Sequence, residues 1–348
     1  MIAEALSQAH AYGAFAIGLG LCLDAMLGDP RSRWHPVRLL GAVSMRMETL
    51  SRRVFASGAA RCSTGAPRNK RLILAGAVCW LTITALAAGS ALALSALAGR
   101  LHPLGGLAVD ALIVWASIAP RDLIAHALRV RKALARDAAA GRAAPEEGRG
   151  AVAMIVGRKV DSLDYAGVCR ACIESVAESS IDGVAAPLFW AALLGPAGAF
   201  AYRAINTMDS LFGHKDARYF SFGLVAARAD DYANCLPARL SSLIACIAAP
   251  LAQGSARGAL RSFLRYRLAH ESPNAGHPEA VYAGVMGLRL GGPALYAEGL
   301  ADKPWMNPMG RDAAPEDIGR SLTLLAAQTL FSAALFMWLS YALRLFCY

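Results

Sequence analysis

The chain has 348 residues, 56% of them hydrophobic and only 17% charged, with a positive mean hydropathy. A soluble domain carries about 25% charged residues, so the composition excludes an ordinary soluble enzyme and points to a bilayer. The formal charge of +10 suggests nucleic-acid binding only until its distribution is considered.

The first apolar stretch, Ala11 to Gly28, is interrupted only by Asp24. It lacks a basic region ahead of it and a small-residue cleavage site before Gly28-Asp29-Pro30, so it reads as a retained span rather than a signal peptide. A basic segment follows, with ten Lys/Arg and two acids between Asp29 and Arg71; its part from Ala56 to Lys70 reads as a loop. Leu72 to Ala98 then runs 27 residues without a charge, more than the about 20 needed to cross a hydrocarbon core. Leu104 to Ala119 is apolar except for Asp110, and the short connection before it carries only Arg100. A second basic stretch, Arg121 to Ala171, again holds ten Lys/Arg, and Arg129 to Gly150 within it reads as a surface helix and a turn. By the positive-inside rule both basic loops are cytoplasmic and the N-terminus lies outside. The excess charge is topological, and no nucleic-acid partner is expected.

Val184 to Tyr202 is uncharged, but Pro187 and Gly195-Pro196-Ala197-Gly198 would break or bend a helix. It reads as either a tilted span or a re-entrant hairpin buried in protein. Leu240 to Ala256 is a weaker apolar stretch containing Pro250, and Ser321 to Leu343 is a 23-residue uncharged one. The expected fold is therefore all-α. It is one polytopic membrane domain with about four to six apolar helices near 11–28, 72–98, 104–119, 184–205, 240–256 and 321–343, without need of strands and without an internal repeat. The eight cysteines are scattered. Cys169 and Cys172 form a C-x-x-C with no second pair to complete a zinc site, and read as small packing residues.

Four polar clusters adjoin the spans, at 29–41, 157–183, 206–239 and 270–292. The first carries Asp29-Pro30 and His35-Pro36 in two Pro-locked turns, with Arg38 after them; Asp and His can bind a metal or a phosphate-bearing substrate. The second places Glu174, Glu178 and Asp182 at i, i+4 and i+8, one helical face. Like charges so spaced destabilise a helix unless compensated, and gathered carboxylates suit Mg²⁺ carrying substrate phosphates. The third runs from Asn206 and Asp209 through Arg228, Asp230-Asp231 and Asn234 to Arg239, and an arginine offers a bidentate fork for phosphate or carboxylate. The fourth, His270 to Glu279 with Asn274 and His277, is stiffened by two prolines and a glycine; its histidines are candidate bases or ligands. No P-loop, G-x-G-x-x-G, H-E-x-x-H or G-x-S-x-G motif occurs.

Leu27-Gly-Asp-Pro with His35-Pro-Val, Glu174-Ser-Val-Ala-Glu178 through Asp182-Gly, Asn206-Thr-Met-Asp209-Ser, Asp230-Asp231 and Ser272-Pro-Asn-Ala-Gly276 occur together in a known order. The sequence resembles the adenosylcobinamide-phosphate synthases, the CobD/CbiB membrane proteins of cobalamin biosynthesis, from about Leu19 to beyond Gly292. The resemblance implies an acid–amine ligase of the bacterial inner membrane that joins adenosylcobyric acid to (R)-1-amino-2-propanol O-phosphate or ethanolamine phosphate, using ATP and Mg²⁺. Its expected partners are the corrinoid, the aminoalkanol phosphate, the lipid bilayer and neighbouring enzymes of the pathway. By the same resemblance Asp29, Glu174, Glu178, Asp182 and Asp209 would hold metal. Arg38, Asn206, Arg228, Arg239 and Asn274 would bind substrate, and His35 or His277 would serve as base, with Glu178 and Asp209 also in the catalytic set.

The chain departs from the family pattern in having Gly157-Arg158-Lys159-Val160 where Gly-Arg-Asp-Thr is usual, and Ser179-Ser180 where Asn-Thr is common. If Val184 to Tyr202 crossed fully, the third cluster would lie outside, away from cytoplasmic ATP. The expectation is a re-entrant segment, or a third cluster that dips back to the inner face. The competing reading is a membrane carrier for a corrinoid or other anionic metabolite, for which Asp24 and Asp110 within apolar stretches would speak. Against it, the other acids gather in polar loops at span ends.

Overall fold

The computed structural model describes residues 13–30, 32, 34–57, 68–296 and 299–346. Thirteen α-helices occur among them. In chain order they are α1 (Gly13–Leu27), α2 (Pro36–Phe55), α3 (Lys70–Leu101), α4 (Pro103–Ser117), α5 (Pro120–Ala139), α6 (Glu146–Val152) and α7 (Tyr165–Ser180). A π turn, Ile181–Ala185, leads into α8 (Ala186–Phe212), followed by α9 (Leu224–Ala233), α10 (Cys235–Ala248), a 3₁₀ turn, α11 (Ala256–Tyr266), α12 (Gly276–Met286) and α13 (Pro315–Phe346). Between the last two lie four strands of two or three residues, β1 (Leu290–Gly291), β2 (Ala294–Tyr296), β3 (Gly299–Ala301) and β4 (Trp305–Met306), paired antiparallel as β1 with β4 and β2 with β3. The fold is all-α as expected, and these small ribbons are too short to show a readable alternation in the sequence.

The helix α3 illustrates how these elements arise. Asn69 caps it, its side chain accepting from the backbone N–H groups of Arg71 (3.0 Å) and Leu72 (3.4 Å), which satisfies donors that an uncapped helix would leave open. At about 1.5 Å per residue its 32 residues outreach a hydrocarbon core of about 30 Å. The buried stripe is Ala75, Cys79, Ile83, Ala87 and Ala91, at a spacing of four, whereas Leu74, Leu81, Leu86, Leu92 and Leu94 are exposed. Small residues inward and leucines outward is the arrangement of a helix whose solvent is lipid. Among the described residues, five helical stretches are long and apolar enough to cross a membrane: Lys70–Leu101, Pro103–Ala139, Tyr165–Phe212, Cys235–Ala252 and Pro315–Leu345, with Gly13–Leu27 a shorter apolar helix.

The expected break in the fourth apolar region is present. Gly195 leaves helical geometry at φ 69°, ψ −169°, immediately before Pro196, which has no N–H to continue the ladder. A residue with a Cβ would be strained at that φ. Upstream, a π turn that contains Asp182 joins α7 to α8.

Contacts divide the chain into two units, each assembled from separated segments. The first comprises residues 1–119, 186–234 and 335–348, and its core includes Leu72, Ile83, Met208, Phe212 and Phe222. The second comprises residues 120–185 and 235–334. Its core contains Leu134, Ile173, Tyr282, Leu288 and Leu325, and also Cys169 and Cys172, both fully buried and unbridged, in keeping with a packing role. In this second unit Gln328 joins three helices: it accepts from Tyr282 Oη at 2.9 Å and donates to Ser241 Oγ at 2.6 Å and Ser180 Oγ at 3.2 Å. Buried polar groups so satisfied fix one packing of the helices.

Candidate active site

In the second unit, α7 and α12 bring three carboxylates together with two cations. Glu174 is 5% exposed; one of its oxygens pairs with the Arg158 guanidinium, and the other accepts from the backbone N–H of Gly291 at 2.6 Å. The β1 strand therefore reaches the cluster through its backbone, at a glycine with φ 78°. Glu279 on α12 is equally buried. Burial first, then the charges of Glu174 and Glu178, push its carboxyl well above the usual range. Glu178, one turn along α7 from Glu174, is exposed.

The cations that answer these acids come from loops. Lys303, between β3 and β4, lies 5.1 Å from the Tyr296 ring centroid. Burial works against its charge, but the hydrogen bond with Tyr296 and the charges of Tyr296 and Glu279 win, and its ammonium is held above the ordinary lysine value. His270 Nε2 is 3.8 Å from Glu279 Oε1, and its Nδ1 accepts from the Ser272 N–H at 2.9 Å. Burial and the Lys303 charge keep this imidazole below its usual pKa. In the first turn of α12, His277 is 1% exposed. Burial, then the charges of Arg239 and Arg267, push it down to about 4. Arg239 donates to the Cys235 carbonyl at 2.5 Å and to Asn274 Oδ1 at 3.5 Å.

The first unit carries its own polar set. Gly28, at φ 67°, turns the chain out of α1, and its carbonyl accepts from Trp115 Nε1 at 3.1 Å. That turn sets Asp29 2.9 Å from His35 Nε2, while the His35 ring sits edge-on to Trp115. The hydrogen bond from His35 holds the Asp29 carboxyl below its usual value; burial opposes, and the charges of His35, Arg203 and Arg38 assist. Elsewhere in this unit, Asp230 accepts from Asn206 (3.2 Å) and Asn234 (2.9 Å), and Asn234 in turn accepts from Tyr202 Oη (2.9 Å). Burial, then the charge of Asp209, push the Asp230 carboxyl up to about 7. Arg228 is largely exposed, 4.0 Å from Asp231, at the edge of an open apolar groove of about 730 Å³ walled by Trp80, Trp190, Leu224 and Tyr232.

Against protein-family models, residues 17–325 match the one described as CobD/Cbib protein. The chain belongs to the CobD/CbiB family. A cobalamin biosynthesis protein CobD of Klebsiella pneumoniae is 39% identical over 319 residues, which cover 92% of this chain and 95% of that one. A cobalamin biosynthesis protein CbiB of Salmonella choleraesuis is 38% identical over 90% of this chain and 93% of its own. A CobD of Clostridium perfringens is 33% identical over 88% and 91%. No solved structure matches.

In this CobD/CbiB chain the residues singled out from the sequence fall in both units. Asp29, His35, Arg38, Asn206, Asp209 and Arg228 belong to the first, and Glu174, Glu178, Asp182, Arg239, Asn274 and His277 to the second. Among the described residues no three or more His, Cys, Asp or Glu converge as a ready metal cage. The residues that sequence reasoning left out of the site are Arg158, Glu279, Lys303 and Asp230. Asp230 and Glu279 stood inside the quoted motifs. Lys303 gave no signal, because nothing in its spacing ties a loop between two-residue strands to α7.

Proposed function

We propose that this CobD/CbiB chain is a membrane ligase of cobalamin assembly. It would condense a carboxylate of adenosylcobyric acid with (R)-1-amino-2-propanol O-phosphate, or ethanolamine phosphate, to form adenosylcobinamide phosphate in an ATP- and Mg²⁺-dependent reaction. The bilayer would be the bacterial inner membrane, with the N-terminus periplasmic and the polar loops cytoplasmic.

The observation that carries this reading is the cluster of Glu174, Glu178 and Glu279 with Arg158 and Lys303. Amide formation from a carboxylate needs two things of a protein: positive charge where phosphate oxygens gather, and a proton acceptor for the attacking ammonium. Arg158 and Lys303 meet the first need. Glu279, whose carboxyl is pushed upward by burial and then by the charges of Glu174 and Glu178, meets the second, since a carboxylate so placed binds a proton more firmly than an exposed, isolated one. Glu174 orders the set, locked by Arg158 and Gly291, and leaves Glu178 exposed. A magnesium ion keeps several waters and uses one or two protein carboxylates besides substrate phosphates. Glu178 fits that modest demand, so the lack of a closed cage does not count against it. Mg²⁺ held there would neutralise phosphate charge during activation.

The test is to incubate the purified protein with adenosylcobyric acid, aminopropanol phosphate, ATP and Mg²⁺, and to follow the corrinoid by mass. A product heavier by the condensed amine is expected, and Glu178→Gln should reduce its formation by at least about 10²-fold. Unchanged corrinoid mass, with the corrinoid accumulating inside protein-bearing vesicles, would replace the ligase with a carrier.

A further inference from the structure

We infer that Arg239, Arg267, Asn274 and His277 form a subsite for a phosphate monoester at the N-terminal end of α12. The inference rests on the ligase reading for the identity of its ligand, and on the second unit alone for its geometry.

Four observations converge. His277 is 1% exposed, and its Nδ1 is buried without a well-formed hydrogen bond among the described residues; the Asn274 backbone, the one hydrogen-bonding group that acts on the ring, is the weakest influence on it. A buried polar atom left open costs about 1–3 kcal/mol, so its retention calls for a ligand. The charges acting most on this ring are two guanidiniums, Arg239 and Arg267. Among the described residues their hydrogen bonds go to the carbonyls of Cys235 and Leu264 and to Asn274 Oδ1. Two arginines acting on one neutral imidazole form a concentration of positive charge, and among the described residues neither guanidinium is bonded to a carboxylate. The site also lies at the first turn of an eleven-residue helix, where the helix dipole favours an anion. Finally, the Ser272-Pro-Asn-Ala loop is rigidly built: Ser272 Oγ accepts from the N–H groups of Asn274 (3.3 Å) and Ala275 (3.2 Å).

The chemistry favours phosphate over a carboxylate or a corrin amide. Two guanidinium forks and a neutral ring N–H match an oxyanion with three acceptor oxygens. The imidazole keeps its neutral form beside both arginines, so it donates a hydrogen bond rather than adding a third positive charge. Phe263 is flanked by the Arg267 guanidinium (5.3 Å) and the His277 ring (5.7 Å). The aromatic surface at the site is thus used by the protein itself, which suits a small phosphate ester. The aminoalkanol phosphate and the terminal phosphate of ATP share this chemistry, and the experiment separates them.

Full-length protein in detergent would be treated with phenylglyoxal, and modification of individual arginines read by peptide mass. Inorganic phosphate should slow modification of Arg239 and Arg267 by about fivefold or more while leaving the exposed Arg265 unaffected. Aminopropanol phosphate protecting the same two residues at lower concentration assigns the subsite to the amine; ATP doing so instead assigns it to the nucleotide. Equal modification with and without any of the three overturns the proposal. In turnover, Arg267→Gln should raise KM for the protected substrate at least tenfold with a smaller change in kcat, and Arg265→Gln should not. An active enzyme with unchanged KM in Arg267→Gln removes the subsite but leaves the ligase. Protection without any condensation removes the ligase but leaves the subsite.

Discussion

Replacing Glu174 with glutamine removes one charge and almost no volume. The side chains of Glu174 and Arg158 are 7% and 11% exposed, so the change leaves a buried guanidinium without its carboxylate. Breaking such a pair from one side costs about 3–5 kcal/mol. The amide oxygen can still accept from the Gly291 N–H, so that contact is kept. Part of the loss returns, because Glu174 is one of the charges that push the Glu279 carboxyl upward; relief of that repulsion offsets about 1 kcal/mol. The net expectation for Glu174→Gln is therefore about 2–4 kcal/mol. The double variant Arg158→Met with Glu174→Gln removes the orphaned cation as well, and should be more stable than Glu174→Gln alone. Reversible unfolding in mixed micelles, followed by circular dichroism, measures all three free energies. A single variant within about 1 kcal/mol of wild type, or a double variant no more stable than Glu174→Gln alone, would refute this account of the cluster.

Asp230 gives a pH-dependent expectation. Its folded pKa of about 7 lies above the ordinary 3.8, so between these values the native state binds more protons than the unfolded chain. Stability should fall as pH rises from about 4 to about 7 and level off above, by an amount on the order of 4 kcal/mol at most. Thermal midpoints at pH 5 and pH 8 test this: Asp230→Asn should lose the slope, and an identical slope in both proteins would contradict it. Asp29 runs the opposite way. Its pKa is depressed by His35, so its contribution is full above about 3.8 and disappears as pH falls through the lower folded value; Asp29→Asn should flatten that acid limb. A Cβ at Gly76 would stand 1.9 Å from the Phe222 carbonyl oxygen, whereas none would be met at Gly89. Gly76→Ala should therefore cost about 3 kcal/mol or more and Gly89→Ala almost nothing, read from the same unfolding curves.

Much of the helical architecture was legible because a bilayer demands long uncharged runs, and Leu72 to Ala98 or Ser321 to Leu343 has no other use. The interruption at Gly195-Pro196 was legible for the same reason, since both residues act locally. What stayed hidden depends on distance in sequence. Glu174 meets Gly291 and, through Glu279, Lys303, and no periodicity connects residues over a hundred positions apart. The π turn was equally invisible: Ile181-Asp182-Gly183-Val184-Ala185 has no composition that separates five residues per bonded turn from four. The i, i+4, i+8 spacing of the acids assumed a regular helix, which the chain abandons just before the third of them.

The close approach at Gly76 bears on how membrane topology can be measured. Gly223 has the same character, with the Phe212 carbonyl oxygen 1.7 Å from where a Cβ would be. The connection from Phe212 to Leu224 is thus gauged at both ends by backbone against backbone, and its length is constrained more tightly than its composition. A reporter domain spliced between Gly213 and Ser221 would lift those carbonyls from their seats and report on a damaged molecule. A single cysteine at the exposed Ala217, in a background with the native cysteines replaced, keeps every backbone atom in register. Impermeant thiol reagents applied to such cells would locate this connection relative to the membrane without lengthening it.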